Sequence, residues 1–495
     1  MADHQAGEVL LVKPRSSNDG VSVILRIILL LLLTDITLSR SIIKTLPGFS
    51  GELPVKLETG YVGIGEKDEI QLFYYFVESE RSPEDDPLIL WLAGGPGCSA
   101  TRSFFYEIGP FKFDMSNFTG NQPPLVLAPN SWTKVASIIF IDQPVGTGFS
   151  YATNAEAYKT SDKKSANQTY EFLRKWLVDH PKFLKNPLYI GGISYIGVVV
   201  PVLVEDIYNG NEAGNEPQMN IKGYILCNPL TDRNGDVNSR IDYAHRVALL
   251  SDELYESAKA NCNGNYIEVD PDNGLCVRDL QEIDKCTDRI NQEEIYEPKC
   301  IQTVDKSKLL GWDRSLFEAK PMELLWSIPR SPEDWCRSYV YYYSVIWAND
   351  EAVQSALHIR EGTLSADWVQ CNLTIKFYYG KPSSESYAYD LPDVVGYHRN
   401  LTKRNCQALI LSGDLDMIVP YLSTEKWIRS LNLAVESTWE PWLVDGQVAG
   451  YRVGYAHNDY SLTFATVKGA GHTCPEYKHK QCFSIVDWWF SNQPL

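Results

Sequence analysis

Three side chains in this sequence could together make an activated nucleophile. They are a serine, a carboxylate and a histidine, in that chain order, each just past an apolar run. The serine is Ser194, in "PLYIGGISYIGVVVP" (Pro187 to Pro201). The acid is Asp414 or Asp416, in "QALILSGDLDMIVP" (Gln407 to Pro420), and the histidine is His472, closing "LTFATVKGAGH". In such a set the imidazole takes the hydroxyl proton, the carboxylate orients the imidazole, and the serine oxygen attacks an acyl carbon. Each residue alone has a plainer explanation: a helix cap for Ser194, turn chemistry for the aspartates, a loop histidine for His472. The joint order, with all three at the ends of strand-like runs, favours the catalytic reading.

Two details around Ser194 are irregular. The common elbow pattern is G-x-S-x-G, but here Ile196 follows Tyr195 and the glycine comes one place late, at Gly197. An isoleucine, Ile193, stands directly before the serine. A second glycine-rich stretch, "GGPGCSA", could complete the chemistry. A tetrahedral intermediate needs N–H donors aimed at its oxyanion. Gly94 or Gly95 could supply one, and the residue after the nucleophile, Tyr195, another.

These residues need a scaffold that brings strand ends together. "PLILWLAGGPGC" reads as a buried strand entering a glycine turn, and "VASIIFIDQPVGTGFSY" as a buried strand followed by a Gly/Pro loop. "SANQTYEFLRKWLVDHP" carries Tyr170, Phe172, Leu173, Trp176 and Leu177 at helical spacing. "IKGYILCNPLTD" is again strand-like. Strands alternating with helices predict an α/β domain with a mainly parallel sheet covered on both faces. Active groups belong at the carboxyl ends of such strands. From about Asp232 to Trp335 the apolar periodicity fades and Asp, Glu, Asn and Cys accumulate. That stretch reads as an insertion, giving four parts: a leader (1–39), a first core segment (40–231), the insertion or lid (232–335) and a second core segment (336–495).

The leader reads as a secretory signal. Val21 to Leu33 is an apolar run broken by Arg26, and Thr37 and Ser39 sit at −3 and −1 of a cleavage point before Arg40. It is short for a membrane span, though a retained signal anchor is the alternative, because the polar stretch before it is long. No stable span is expected after cleavage. Four sequons agree with secretion: Asn117, Asn167, Asn372 and Asn400. The chain has 11 cysteines, an odd number, with Cys262, Cys276, Cys286 and Cys300 clustered in the insertion. Disulfides persist in the secretory pathway. The net charge of −18 argues against nucleic acid. No C-x-x-C pair, Walker loop or dinucleotide glycine motif occurs, so no metal and no cofactor is expected.

Taken in order and separation, "LWLAGGPGCSA", "DQPVGTGFSY", "GGISYIG", "SGDLDMIVP" and "GAGH" resemble the signatures of the serine carboxypeptidase family, whose members have the α/β-hydrolase fold. The resemblance runs from about Leu46 to the C-terminus. The family elbow is G-x-S-Y-x-G, so the displaced glycine is its own form. The resemblance implies Ser194 as nucleophile, Asp416 as acid, His472 as base, and Gly95 and Tyr195 as oxyanion donors. It also implies disulfides Cys98–Cys336, Cys262–Cys276 and Cys286–Cys300, the two short loops each worth about 3 kcal/mol.

Carboxypeptidases of this family hold the substrate's terminal carboxylate with an Asn at the position of Ala93, a Glu at that of Ile193 and a Glu at that of Glu107; Gly94 lies among these contacts. Only Glu107 is kept here. Ala93 and Ile193 cannot hydrogen-bond through their side chains, which argues against peptide substrates. "LFYYFVESE", "ALHIREGT", "VDGQVAGYRVGYAHNDYSLTFATVKGAGHT" and "CFSIVDWWF" are similar to the plant serine carboxypeptidase-like acyltransferases. That branch takes acyl groups from 1-O-β-glucose esters. Most of its members keep a polar residue where Ile193 stands. The expected partners are a small acyl-glucose donor and a small hydroxyl or amine acceptor, and the expected compartment is the vacuole, or else the cell exterior. A carboxypeptidase or esterase is the first alternative, and a non-catalytic binding relative the second.

Overall fold

The computed structural model describes residues 40–116, 118, 122–300, 336–364, 366–375 and 386–491. The leader (1–39), Asn117 and residues 301–335 of the expected insertion lie outside the described residues. The strands in chain order are β1 (Arg40–Ile43), β2 (Leu57–Ile64), β3 (Ile70–Val77), β4 (Leu88–Leu92), β5 (Phe111–Phe113), β6 (Leu125–Leu127), β7 (Ser137–Ile141) and β8 (Tyr151–Ala152). They continue with β9 (Thr160–Ser161), β10 (Leu188–Ile193), β11 (Ile221–Cys227), β12 (Tyr387–Ala388), β13 (Gln407–Gly413), β14 (Ala434–Val444), β15 (Gln447–His457) and β16 (Tyr460–Val467).

Twelve strands form one sheet, ordered β1-β2-β3-β7-β4-β10-β11-β13-β16-β15-β14, with β8 paired to β3. The six central strands from β7 to β16 run parallel, and the flanks on either side are antiparallel. Their apolar runs follow from burial on both faces. Leu88, Leu90 and Leu92 of β4 enter the core beneath the helices Asp162–Asp179 and Ile196–Glu212. Ile89 and Trp91 enter a second core on the opposite face, beside the C-terminal helix His479–Ser491. β10 splits the same way, with Ile190 on the first face and Tyr189 and Ile193 on the second. The period of two along a strand sends neighbours to opposite layers. This is the α/β-hydrolase architecture with a parallel centre.

After β11 the chain leaves the sheet through the helices Arg233–Arg246, Asp252–Asn261 and Gly274–Thr287. They share a small core of Ile241, Tyr243, Leu250, Ala258, Ile283 and Ile295, which includes Met417 from the loop after β13. These helices are thereby packed onto the loop that carries Asp416.

The disulfides differ from the expected set in two of three cases. Cys262 and Cys276 are bonded, with Cα atoms 4.9 Å apart. Cys98, however, is bonded to Cys371, not to Cys336. These two residues face each other in an isolated antiparallel bridge, so the segment around Cys371, and not Cys336, lies against the turn after β4. Cys336 is bonded to Cys300, which leaves Cys286 a free, exposed thiol. Cys286 sits in the last turn of Gly274–Thr287. From there the chain runs along the Asp416 and His472 loops before it reaches Cys300. That path carries Cys300 away from Cys286 and towards Cys336.

Candidate active site

β4, β10, β11, β13 and β16 stand side by side in the parallel centre, and the loops leaving the carboxyl ends of β10, β11, β13 and β16 meet around Ser194. Ser194 follows β10 with a positive φ of 64°, a conformation that L-residues adopt only when their surroundings impose it. Its N–H donates to Cys227 O (3.0 Å), and its own carbonyl accepts from Gly197 N (3.0 Å) and Leu230 N (3.0 Å). The turn is pinned on both sides of Ser194. The late glycine has a steric reason: a Cβ at Gly197 would stand 2.4 Å from Leu230 O and 2.5 Å from Pro229 Cβ.

His472 Nε2 lies 2.7 Å from Ser194 Oγ, and His472 Nδ1 lies 2.8 Å from Asp416 Oδ2. Asp416 is fully buried and accepts from Asn228 Nδ2 (2.7 Å), Ile418 N (2.7 Å) and Val419 N (3.3 Å). A carboxylate surrounded by donors acts as an acceptor, so His472 carries its proton on Nδ1 and offers the Nε2 lone pair to the serine hydroxyl. Asp414, the other candidate from the residue reading, is turned away. Its Oδ1 accepts from Gly469 N (2.7 Å) and its carbonyl from Tyr243 Oη (2.7 Å), and burial raises its pKa.

The glycine turn after β4 lies against the elbow. A Cβ on Gly94 would come 2.6 Å from Ile193 O and 2.9 Å from Ser194 Cβ, so only a glycine allows this approach. Tyr195 caps the helix Ile196–Glu212, which puts its N–H at the positive end of that helix beside Ser194. The Tyr195 hydroxyl donates to Asp162 Oδ1 (2.7 Å), as Tyr387 does (2.9 Å), and Leu391 N donates to Oδ2 (3.0 Å). Burial raises Asp162 to about 6.

Ala93 and Ile193 are each only 2% exposed. Ile193 packs in the second core with Trp91 and Cys227. Glu107 is buried and already engaged: Trp91 Nε1 donates to it (3.3 Å) and the Arg102 guanidinium stands 3.7 Å away. Burial pushes the Glu107 carboxyl up, against the pull of Arg102. Of the sequon residues, Asn167 and Asn400 are exposed and Asn372 is half-buried. Among the described residues no group of three or more His, Cys, Asp or Glu side chains could hold a metal ion, and no helix is long and apolar enough to cross a membrane.

Three supports were not foreseen from the sequence. Asn228 orients Asp416, and its own Oδ1 accepts from Gly413 N (3.1 Å) and Cys474 Sγ (2.7 Å). The only local signal was a polar residue interrupting the end of an apolar run. Asp142 holds the turn after β4 through Ser99 Oγ (2.7 Å) and Ala100 N (2.7 Å), and the loop after β7 through Phe149 N (2.8 Å). Burial raises it to about 6. The third is a backbone strap formed by Gln292–Ile295. Gln292 O accepts from Met417 N (2.9 Å), Glu293 O from His472 N (2.7 Å), and Ile295 N donates to Leu415 O (3.2 Å). These are backbone bonds, and no residue type announces them.

The serine carboxypeptidase family model matches residues 47–492. The chain belongs to the serine carboxypeptidase family. Serine carboxypeptidase-like 7 of Arabidopsis thaliana is 46% identical over 480 residues, covering 97% of this chain and 100% of that protein. Serine carboxypeptidase-like 17 of the same plant is 44% identical over 475 residues, covering 96% and 98% of the two chains. Among solved structures, the prohormone-processing carboxypeptidase Kex1 from Saccharomyces cerevisiae superposes with a TM-score of 0.68 at 20% identity, over 92% of this chain and 95% of that one. At that identity the likeness shows the shared fold. At Ser194 this serine carboxypeptidase relative brings together a hydroxyl, an imidazole within hydrogen-bond distance of it, a buried carboxyl group behind the imidazole, the Gly94 turn and the N-terminus of a helix, an arrangement compatible with chemistry through a serine ester.

Proposed function

We propose that the protein moves an acyl group from a 1-O-β-glucose ester to a hydroxyl or amine acceptor, through an ester on Ser194. His472 Nε2 takes the Ser194 proton as Oγ attacks the ester carbon. The carbonyl oxygen gains the charge and is met by the N–H groups of Gly95 and Tyr195. The carbon–glucose oxygen bond breaks as His472 returns the proton to the leaving glucose. His472 then takes a proton from the acceptor as it attacks the acyl carbon, and gives that proton to Ser194 Oγ as the serine ester bond breaks.

The observation that supports this over peptide hydrolysis is the fate of the carboxylate-binding positions. Ala93 and Ile193 are apolar and buried, and Glu107 is held by Trp91 and Arg102. A peptide's terminal carboxylate placed there would lose its water without gaining donors, which is costly for a charged group. A glucose ester is neutral at that end and needs no such partner. The signal-like leader and the four sequons support a route through the secretory pathway, and the similarity to the plant acyltransferase branch supports the vacuole as its end.

The deciding assay compares kcat/KM of the purified full chain on 1-O-benzoyl-β-glucose with an alcohol acceptor, and on a blocked dipeptide. Transfer to the acceptor with negligible dipeptide cleavage is expected. Efficient dipeptide cleavage would refute the acyltransferase reading and leave a carboxypeptidase. Release of free benzoate without transfer would leave an esterase.

A further inference from the structure

We propose that Asn372 is a positioning residue of the oxyanion turn and carries no glycan, although it begins an Asn-Leu-Thr sequon. The inference rests on the reading of Ser194 as nucleophile and Gly95 as an oxyanion donor.

The turn Gly94–Cys98 follows β4 and is bonded to segments on both of its flanks. Its position is set from two sides. On one side stands Asp142, which receives Ser99 Oγ and Ala100 N. On the other runs the segment Gln370–Ile375. Ser99 N donates to Gln370 O (2.8 Å), Cys98 is bonded to Cys371, and Asn372 N donates to Gly97 O (2.8 Å). Asn372 lies at the end of this clasp. Its side-chain Nδ2 donates to Gly146 O (2.9 Å), in the loop after β7. Its Oδ1 accepts from Thr374 N (3.0 Å) and Thr374 Oγ1 (2.8 Å). One residue thereby joins the oxyanion turn, through Gly97, to the neighbouring loop, through Gly146.

The chemistry demands an amide. The oxygen must accept from Thr374, and the nitrogen must donate to a carbonyl. Aspartate matches the shape but would set a second acceptor against Gly146 O. A glycan would be attached at this same Nδ2, at the contact with Gly146. Asn167 and Asn400, by contrast, are exposed.

The sequon and the clasp can be separated genetically. Thr374→Ala deletes the sequon and loses one hydrogen bond to Oδ1, but keeps both links made by Asn372. Asn372→Asp deletes the sequon and the donor to Gly146. The readouts are a glycopeptide mass map of the secreted full chain, and Ser194 acylation by p-nitrophenyl acetate with Ser194→Ala as blank. The Asn372 peptide is expected unmodified. Thr374→Ala is expected within about twofold of the wild type. Asn372→Asp is expected to lose ~10-fold or more in kcat with KM nearly unchanged, a fraction of the ~100-fold or greater cost of deleting an oxyanion donor. Its deficit relative to wild type should shrink as pH falls and the new carboxyl gains a proton to donate. Should Asn372→Asp fail to fold, Asn372→Ala tests the same link without the added charge. A glycan at Asn372, or wild-type acylation by a folded Asn372→Asp or Asn372→Ala, overturns the proposal. If the wild type shows no Ser194-dependent acylation, the nucleophile reading fails instead, and the glycopeptide map still decides whether Asn372 carries a glycan.

Discussion

Asn228 offers the most direct test of how the site is held together. The residue is fully buried, has φ 45°, and gives its amide to Asp416 Oδ2 at 2.7 Å. Glycine accepts positive φ without strain, so Asn228→Gly removes the side chain and leaves the backbone relaxed. What is lost is a hydrogen bond to a charged acceptor, worth about 1.5–3 kcal/mol. That bond holds Asp416 while the imidazole becomes charged, so its loss falls mainly on the transition state. The expected drop in the rate of Ser194 acylation is therefore ~10- to 150-fold, with KM little changed. Stability should also fall, because Gly413 N and Cys474 Sγ lose their shared acceptor. An unmet buried donor costs about 1–3 kcal/mol. Stopped-flow acylation with p-nitrophenyl acetate reads the first effect, and urea unfolding reads the second. A folded Asn228→Gly enzyme that acylates at the wild-type rate would refute the argument that Asn228 sets the Asp416 orientation.

Other outcomes follow from the same geometry. Ser194→Ala should abolish turnover by several orders of magnitude while the thermal midpoint stays put, as measured by activity and calorimetry side by side. Replacing both Cys262 and Cys276 by serine opens a loop of sequence separation 14 and should cost about 3 kcal/mol in denaturant unfolding. Disulfide mapping should return Cys98–Cys371 and Cys300–Cys336, and a thiol label should reach Cys286 without denaturant. Stability should fall as pH rises from about 4 to 7. Burial holds Asp142 and Asp162 at about 6 and Asp236 at about 7, so the folded state binds more protons there than the unfolded chain does. His398, held down at about 3, and His479, also lowered, pull the other way, but Asp206 is also raised to about 6 and Glu107, Glu294 and Asp414 are raised as well, while the lowered Glu58 and Glu78 act only below the ordinary carboxylate range. A melting midpoint at pH 5 above that at pH 7.5 by about 2 °C or more is expected, and a higher midpoint at pH 7.5 would contradict it.

Short-range pattern in the chain was enough for the features that depend on neighbouring residues. Apolar runs such as "LILWL" and "SIIFI" became buried central strands, since residues hidden on both faces must be apolar throughout. Ser194, the pair Asp414 and Asp416, and His472 stood out because each follows such a run, and the parallel order carries strand ends to one edge of the sheet. Which distant segments meet became visible once the chain was folded. The residue pattern left Asp414 and Asp416 open; the N–H groups of Ile418 and Val419 and the Asn228 amide turn Asp416 towards His472, whereas Asp414 serves the Gly469 turn. Cysteine spacing could not show that Cys98 faces Cys371, because that pairing depends on a segment 273 residues away crossing the turn after β4. The strap of Gln292, Glu293 and Ile295 is bound through its backbone, and backbone donors and acceptors are the same for almost every residue type. A sequence records which side chains exist and how they alternate. It does not record which carbonyl will face which N–H once the chain has closed on itself.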